Sequence, residues 1–129
     1  MIKILTFKKR KDFVRVAKGY HVATRNMVLQ AAPSLSVSNN ISVGFTATKK
    51  IGNAVIRNKS KRRLRAIARE TLKNFALDGV DYIFIARLST ATCDYKELLK
   101  DTSYALKRIN KNFIVKNAEG ITPDENPQK

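Results

Sequence analysis

Apolar positions along the chain follow two periods, one helical and one alternating, and the points where the period changes mark out the elements. In residues 54–75, Leu64, Ile67, Ala68, Thr71, Leu72 and Phe75 recur on one side at helical spacing, which predicts the longest helix. Residues 94–113 predict a second amphipathic helix. Leu98, Leu99, Thr102, Ala105, Leu106, Ile109 and Phe113 face inward there, and Lys96, Lys100, Lys107 and Lys111 face outward. Residues 8–18 form a shorter basic helix in which Phe13, Val16 and Ala17 make a narrow apolar stripe among Lys9, Arg10, Lys11 and Arg15, closed by Gly19.

Residues 20–32 read as one extended segment, with Val22, Thr24 and Val28 around Met27 and Leu29, followed by Pro33 and a polar turn. Ile41, Val43, Phe45 and Ala47 alternate with Ser42, Gly44, Thr46 and Thr48, the pattern of a half-buried strand expected to form a hairpin with the segment before it. Residues 80–87 (VDYIFIAR) are nearly continuously apolar, as a central strand covered on both faces should be. The order helix, strand, strand, helix, strand, helix predicts an α+β fold, a two-layer α/β sandwich with helices against a small sheet. One domain is expected over residues 1–113, and residues 114–129, with Gly120, Pro123 and Pro127, read as a disordered tail.

Charge changes this picture most. The chain carries 26 Lys and Arg against 10 Asp and Glu, a net +16, and residues 1–113 hold 24 of the bases and only 7 of the acids. Self-repulsion of that size calls for a polyanionic partner. No apolar run is long enough to span a bilayer. The N-terminal MIKILTFKKRKDF puts its bases after its apolar residues, the reverse of a signal peptide, so a cytoplasmic protein with no membrane association is expected. Cys93 is the single cysteine and has neither a disulfide partner nor a second thiol for a metal motif.

Nine bases and no acid lie between positions 49 and 69: Lys49, Lys50, Arg57, Lys59, Lys61, Arg62, Arg63, Arg65 and Arg69. At about 100° per residue, Lys59, Arg62, Arg63, Arg65, Arg69 and Lys73 fall opposite the apolar arc. Arg57 and Lys61 fall on the core side, where an unpaired charge is costly, so the first turns of the helix should project beyond the core after Gly52 and Asn53. Arg57, Asn58 and Lys61 would then meet nucleic acid end-on, aided by the helix dipole. The plain alternative is a solvated charged face, but such faces usually mix signs through i,i+4 pairs. RNA is favoured over DNA because no helix-turn-helix context accompanies the basic helix.

Intrinsic catalysis is not expected. The acids Asp12, Glu70, Asp78, Asp81, Asp94, Glu97 and Asp101 are scattered singly, whereas a metal nuclease needs clustered carboxylates. His21 is the only histidine, which excludes a two-histidine acid and base pair, and Cys93 has no histidine near it in sequence. No catalytic residue and no metal ligand is assigned.

Residues 49–65, KKIGNAVIRNKSKRRLR, resemble the signature K-K-x-x-x-A-x-x-R-N-x-x-K-R-x-x-R of the ribonuclease P protein family. The resemblance extends to Asp12, Phe13 and Val16, to Ser42-Val43-Gly44-Phe45, and to Asp81-Tyr82 with Ala86-Arg87. It implies an α-β-β-β-α-β-α order, with a third strand hidden within residues 20–48. It also implies a protein subunit of an endoribonuclease whose RNA carries the chemistry, removing the 5′ leader of precursor tRNA with Mg²⁺ required by that RNA-catalysed reaction and no cofactor bound by the protein. The implied partners are ribonuclease P RNA and precursor tRNA, with no protein partner required.

Taken with the charge pattern, the expected RNA-binding residues are Lys49, Lys50, Asn53, Arg57, Asn58, Lys59, Lys61, Arg62, Arg65 and Arg69. Phe13, Val16, Phe45, Lys61 and Arg65 are expected at a leader-binding cleft, where stacking and cations suit a single strand. Lys59 stands where the family commonly has Arg, losing the bidentate fork. Gln30 and Ala17 stand where aromatics are common in the family, which alters the surface offered to the leader. The competing readings are a ribosomal or other structural RNA-binding protein without a role in cleavage, and a protein that binds duplex DNA.

Overall fold

The computed structural model describes residues 4–7, 9–35 and 41–117. Its elements run β1 (Ile4–Thr6), α1 (Arg10–Ala17), β2 (Tyr20–Ala23), β3 (Met27–Pro33), β4 (Ile41–Thr46), a 3-10 turn (Lys49–Ile51), α2 (Ala54–Phe75), β5 (Val80–Ala86) and α3 (Tyr95–Asn117). The α+β class expected from the pattern holds, with β1 added in front of the expected order. α3 runs to Asn117, past the boundary set at 113, and the rest of the expected tail lies outside the described residues.

The five strands lie in the order β1-β4-β5-β3-β2. β5 is central, parallel to β4 and antiparallel to β3, and every residue from Val80 to Ala86 except half-buried Ile85 is buried. That two-sided burial is why its sequence lacks alternation. The expected hairpin between residues 20–32 and β4 is corrected: β4 pairs with β1 and β5, and the hairpin is β2 with β3. The break between β2 and β3 falls at Thr24-Arg25-Asn26, where the Thr24 hydroxyl donates to the Met27 carbonyl and the Asp101 carboxylate accepts from both the backbone and the side-chain amide of Asn26.

Strand alternation divides the core in two. On one face α2 and α3 bring Leu64, Ile67, Leu72, Leu98, Leu106 and Ile109 against Met27, Leu29, Val43, Tyr82 and Phe84. Each of these large side chains contributes about 1.5–3 kcal/mol by leaving water. On the other face α1 is the one helix among the described residues that covers the sheet, burying Val16 against Ala32 and Ile83 with Phe7 and Phe13 at the rim. At the far end of the α2 and α3 layer, the buried Tyr82 hydroxyl donates to Asn110 Oδ1 at 2.6 Å and accepts from the Leu77 amide at 3.1 Å, and burial pushes its pKa up to about 12.

Candidate nucleic-acid interface

The loop leaving β4 places its cations at one end of the molecule. Lys49 and Lys50 are exposed on the 3-10 turn, and Gly52, at φ +146°, redirects the chain through a conformation that side chains rarely adopt, with Ile56 packed where a Cβ would stand. Asn53 caps α2 by accepting from the Ile56 amide at 3.0 Å, so its side-chain oxygen is committed to the helix and its NH₂ group remains to donate. Ala54, Val55 and Ile56 are exposed, Val55 to 75%, and the first buried residue of the helix is Ser60. The first turns therefore project beyond the core, which explains how Arg57 and Lys61 can sit on the core side of the helical wheel.

Arg57, Lys61, Arg65 and Arg69 follow one another at i+4 along α2, and the last three border depressions shared with β4. Arg57 is half-buried, and its Nε has no hydrogen-bond partner among the described residues. Lys61 lines a recess of about 410 Å³ with Arg10, Phe13, Phe45, Thr46 and Ala47. Arg65 and Arg69 line a groove of about 380 Å³ with Thr6, Val43, Phe45, Ala68 and Leu72. Among the described residues no carboxylate lines either depression. Asn58, Lys59 and Arg62 are exposed.

Arg63 departs from its neighbours. Its guanidinium donates to the carbonyls of Thr90 and Cys93, each at 2.7 Å, and lies 5.9 Å from the Tyr95 ring centre. It fastens the loop after β5 to α2. Cys93 is half-buried beside it, and burial pushes the thiol up despite that positive charge, which makes it a poor nucleophile.

The cleft side of the molecule differs from expectation at Val16, at Phe45 and at Arg65, which stands with Phe45 on the α2 side. Phe13 does stand at the recess, its ring edge-on to Phe7 at 5.8 Å and pressed over Gly44. Val16 is corrected: at 0% exposure, buried against Ala32 and Ile83, it supports α1 from beneath and offers no surface to a ligand. Phe45 lies on the opposite face of the sheet from Phe13, because Gly44 points to α1 and alternation turns the next residue to α2. There Phe45 stacks on Phe84 at 5.6 Å, with the Arg65 guanidinium 6.0 Å from its ring centre, and reaches the recess only around the end of β4.

Residues absent from the sequence-based assignment complete the α1 face. Register aligns Thr46, Ile85, Val28 and Ala23 in one row across the sheet, and Gly44, Ile83, Gln30 and His21 in the next. Thr46, Ile85, Val28 and Gln30 are half-buried and Ala17 at the end of α1 is exposed, so this side of the helix borders an open, mostly apolar floor. The parity of β3 was the available signal, since Met27 and Leu29 facing the core oblige Val28 and Gln30 to face the other way.

Acids contribute little to this surface. Asp81 and Asp12 both pair with Arg15, Asp101 serves Asn26, and Glu70 accepts from the Tyr95 hydroxyl. Among the described residues no three His, Cys, Asp or Glu side chains converge as a metal site would require, and no helix is long and apolar enough to cross a membrane.

Residues 1–110 match the family model described as Ribonuclease P. The chain is 42% identical over 106 residues to the ribonuclease P protein component of Paramagnetospirillum magneticum, covering 79% of this chain and 80% of that protein. It is 39% identical over 109 residues to that of Ruegeria pomeroyi, covering 83% and 87% respectively. Among solved structures, the RNase P protein of Staphylococcus aureus superposes with a TM-score of 0.66 at 31% identity, covering 79% of this chain and 92% of that one.

Proposed function

The chain belongs to the ribonuclease P protein family, as the tRNA-processing protein subunit of an endoribonuclease that partners ribonuclease P RNA, and on that premise we propose that its two basic surfaces serve two different RNAs. The projecting end of α2, with Lys49, Lys50, Asn53, Arg57, Asn58, Lys59 and Arg62, holds the RNA subunit. The recess beside α1, with Phe13 and Lys61 above the floor of Thr46, Ile85 and Val28, takes the single-stranded 5′ leader of precursor tRNA.

The observation that carries this reading is the pairing of Phe13 with Lys61 in one recess, free of carboxylates among the described residues, beside the half-buried sheet residues Thr46, Ile85 and Val28. Such a surface offers stacking to unpaired bases and positive charge to their phosphates, the two terms by which single strands bind without sequence preference. A solvated charged face alone supplies only the second.

The hydrolysis belongs to the RNA subunit, with Mg²⁺ bound to RNA. Asp12 and Asp81 are engaged by Arg15, Asp101 by Asn26 and Glu70 by Tyr95, and among the described residues no three acids converge, so the protein makes a poor donor set for that ion. The protein's part is electrostatic: cations set between two polyanions reduce their repulsion and lower the Mg²⁺ needed to bring them together. It acts in the cytoplasm with no further protein partner.

A photoreactive side chain at position 46, on the floor of the recess, tests the assignment in the complete ribonucleoprotein. Crosslinks should fall within the 5′ leader. Crosslinks confined to the RNA subunit or to the mature tRNA body contradict it.

A further inference from the structure

The cations that follow β4 have neighbours on the next two strands. β4 and β5 run parallel and β3 runs antiparallel to them, with Thr46 beside Ile85 and Ala86 beside Met27, so the turn carrying Lys49 and Lys50, the loop leaving β5 and the turn entering β3 all lie at one end of the sheet. Neighbouring strands are about 4.8 Å apart, which puts these three strand ends within about 10 Å of one another. Arg87 and Leu88 are exposed on the loop leaving β5, Leu88 to 72%, and Arg25 is exposed in the turn between β2 and β3.

These two segments are braced against each other from within. Asn26 and Thr90 are buried polar residues. The backbone and side-chain amides of Asn26 donate to Asp101, its side-chain oxygen accepts from the Ser89 hydroxyl, and its carbonyl accepts from the Thr90 hydroxyl. Thr90 Oγ1 in turn accepts from the Arg87 amide, and the Arg87 guanidinium donates to the Thr24 carbonyl. Arg63 holds the same loop to α2 through the carbonyls of Thr90 and Cys93. Arg25, Arg87 and Leu88 therefore stand on a preformed platform, and a preformed surface loses little conformational freedom on binding.

We propose that this platform is a further contact surface for the RNA subunit, with Arg25 and Arg87 at its phosphates and Leu88 against a ribose or an unstacked base. The proposal rests on the reading that the projecting end of α2 holds that RNA, and it carries the interface across the strand ends to residues outside the basic motif of positions 49–65. Three observations favour this occupant. Lys49 and Lys50, Arg87, and Arg25 follow one another in the strand order β4, β5, β3, so the platform continues a surface already given to the RNA subunit. Both platform cations are arginines, whose planar forks suit phosphate oxygens. The Asp101 carboxylate is taken up by Asn26, and Asp94 and Glu97 belong to the start of α3.

The experiment measures association of the full-length protein with the RNA subunit across a range of salt, with no precursor tRNA present. Arg25→Gln and Arg87→Gln should each lower the slope of log affinity against log salt by about 0.7–0.9, as Lys50→Gln should at the end of α2. Lys111→Gln, which removes an exposed charge from α3, should leave the slope unchanged. Leu88→Ser should weaken binding several-fold with the slope intact. A photoreactive side chain at position 88 gives a readout that does not depend on the stability of the loop, and it should crosslink to the RNA subunit. Unchanged slopes for both arginine variants overturn the proposal, and so does a crosslink that forms only with precursor tRNA once that is added. If Lys50→Gln also leaves the slope unchanged, the reading of the α2 end falls with it, a result distinct from failure of the platform alone.

Discussion

Arg15 on α1 donates to Asp81 Oδ2 at 2.6 Å, and the same guanidinium donates to the Pro33 carbonyl at 2.8 Å, so one side chain ties the short helix to the central strand β5 and its neighbour β3. Asp81 is buried, and the helix it anchors carries Phe13, one wall of the recess proposed for the leader. Asp81→Asn should lower stability by about 2–3 kcal/mol, because the Arg15 charge, in a place only partly open to water, loses its short ion pair and keeps only the Pro33 carbonyl and the Asp12 carboxylate at 3.9 Å. Urea unfolding checks this, and wild-type stability in the variant would show that α1 is held by its apolar stripe alone.

Gly44 lies directly under Phe13: a Cβ there would come within 2.6 Å of the ring. Gly44→Ala should cost only about 1 kcal/mol, since the ring can swing outward, but it should weaken binding of leader-bearing precursor several-fold more than binding of mature tRNA. Equal effects on both RNAs would remove Phe13 from the leader site.

Arg62 and Arg63 are neighbours with opposite tasks. Arg62→Gln should reduce the slope of log affinity against log salt by about 0.7–0.9, the signature of one lost phosphate contact, with little change in stability. Arg63→Gln should leave that slope alone and lower stability by about 2 kcal/mol, because two carbonyls of the loop after β5 lose a charged donor. Salt titrations and thermal melts on the pair would refute the division if the two variants behaved alike.

Tyr82 gives a pH signature. Its folded pKa is raised to about 12 by burial from an ordinary value of 10.0. The folded state therefore holds this proton more tightly than the unfolded chain does. The corresponding stability is complete below about pH 10 and drains away as the pH rises from there through the folded value, by up to about 3 kcal/mol. Tyr82→Phe should be less stable at neutral pH, since the Leu77 amide and Asn110 lose their partner, and the difference from wild type should shrink between pH 10 and 12. A constant difference across that range would show that the hydroxyl is not held in its neutral form.

The long periodic elements were legible because each buries a continuous stripe: the bounds of α2 emerge as the pattern set them, and the unbroken run of β5 correctly implied the centre of the sheet. The break between β2 and β3 was hidden because Thr24-Arg25-Asn26 contains no Gly or Pro, and the turn is held instead by the distant Asp101. β1 has three residues and no pattern of its own, and it exists by pairing with β4. At the site, charge clustering located the basic helix, but no composition argument could separate Arg63, which binds carbonyls, from Arg62, which is exposed. Phe45 was placed at the leader cleft beside Phe13 through the family resemblance, and only the strand's parity against Gly44 reveals that it faces α2.

The most direct measurement is cleavage of 5′-extended precursor tRNA at low Mg²⁺ by the cognate ribonuclease P RNA, with the protein, without it, and with the protein alone. Stimulation that needs both components, and silence from the protein alone, is the expected result. Tight RNA binding without stimulation would contradict the assigned role in leader removal, and cleavage by the protein alone would contradict the assignment of the chemistry to RNA.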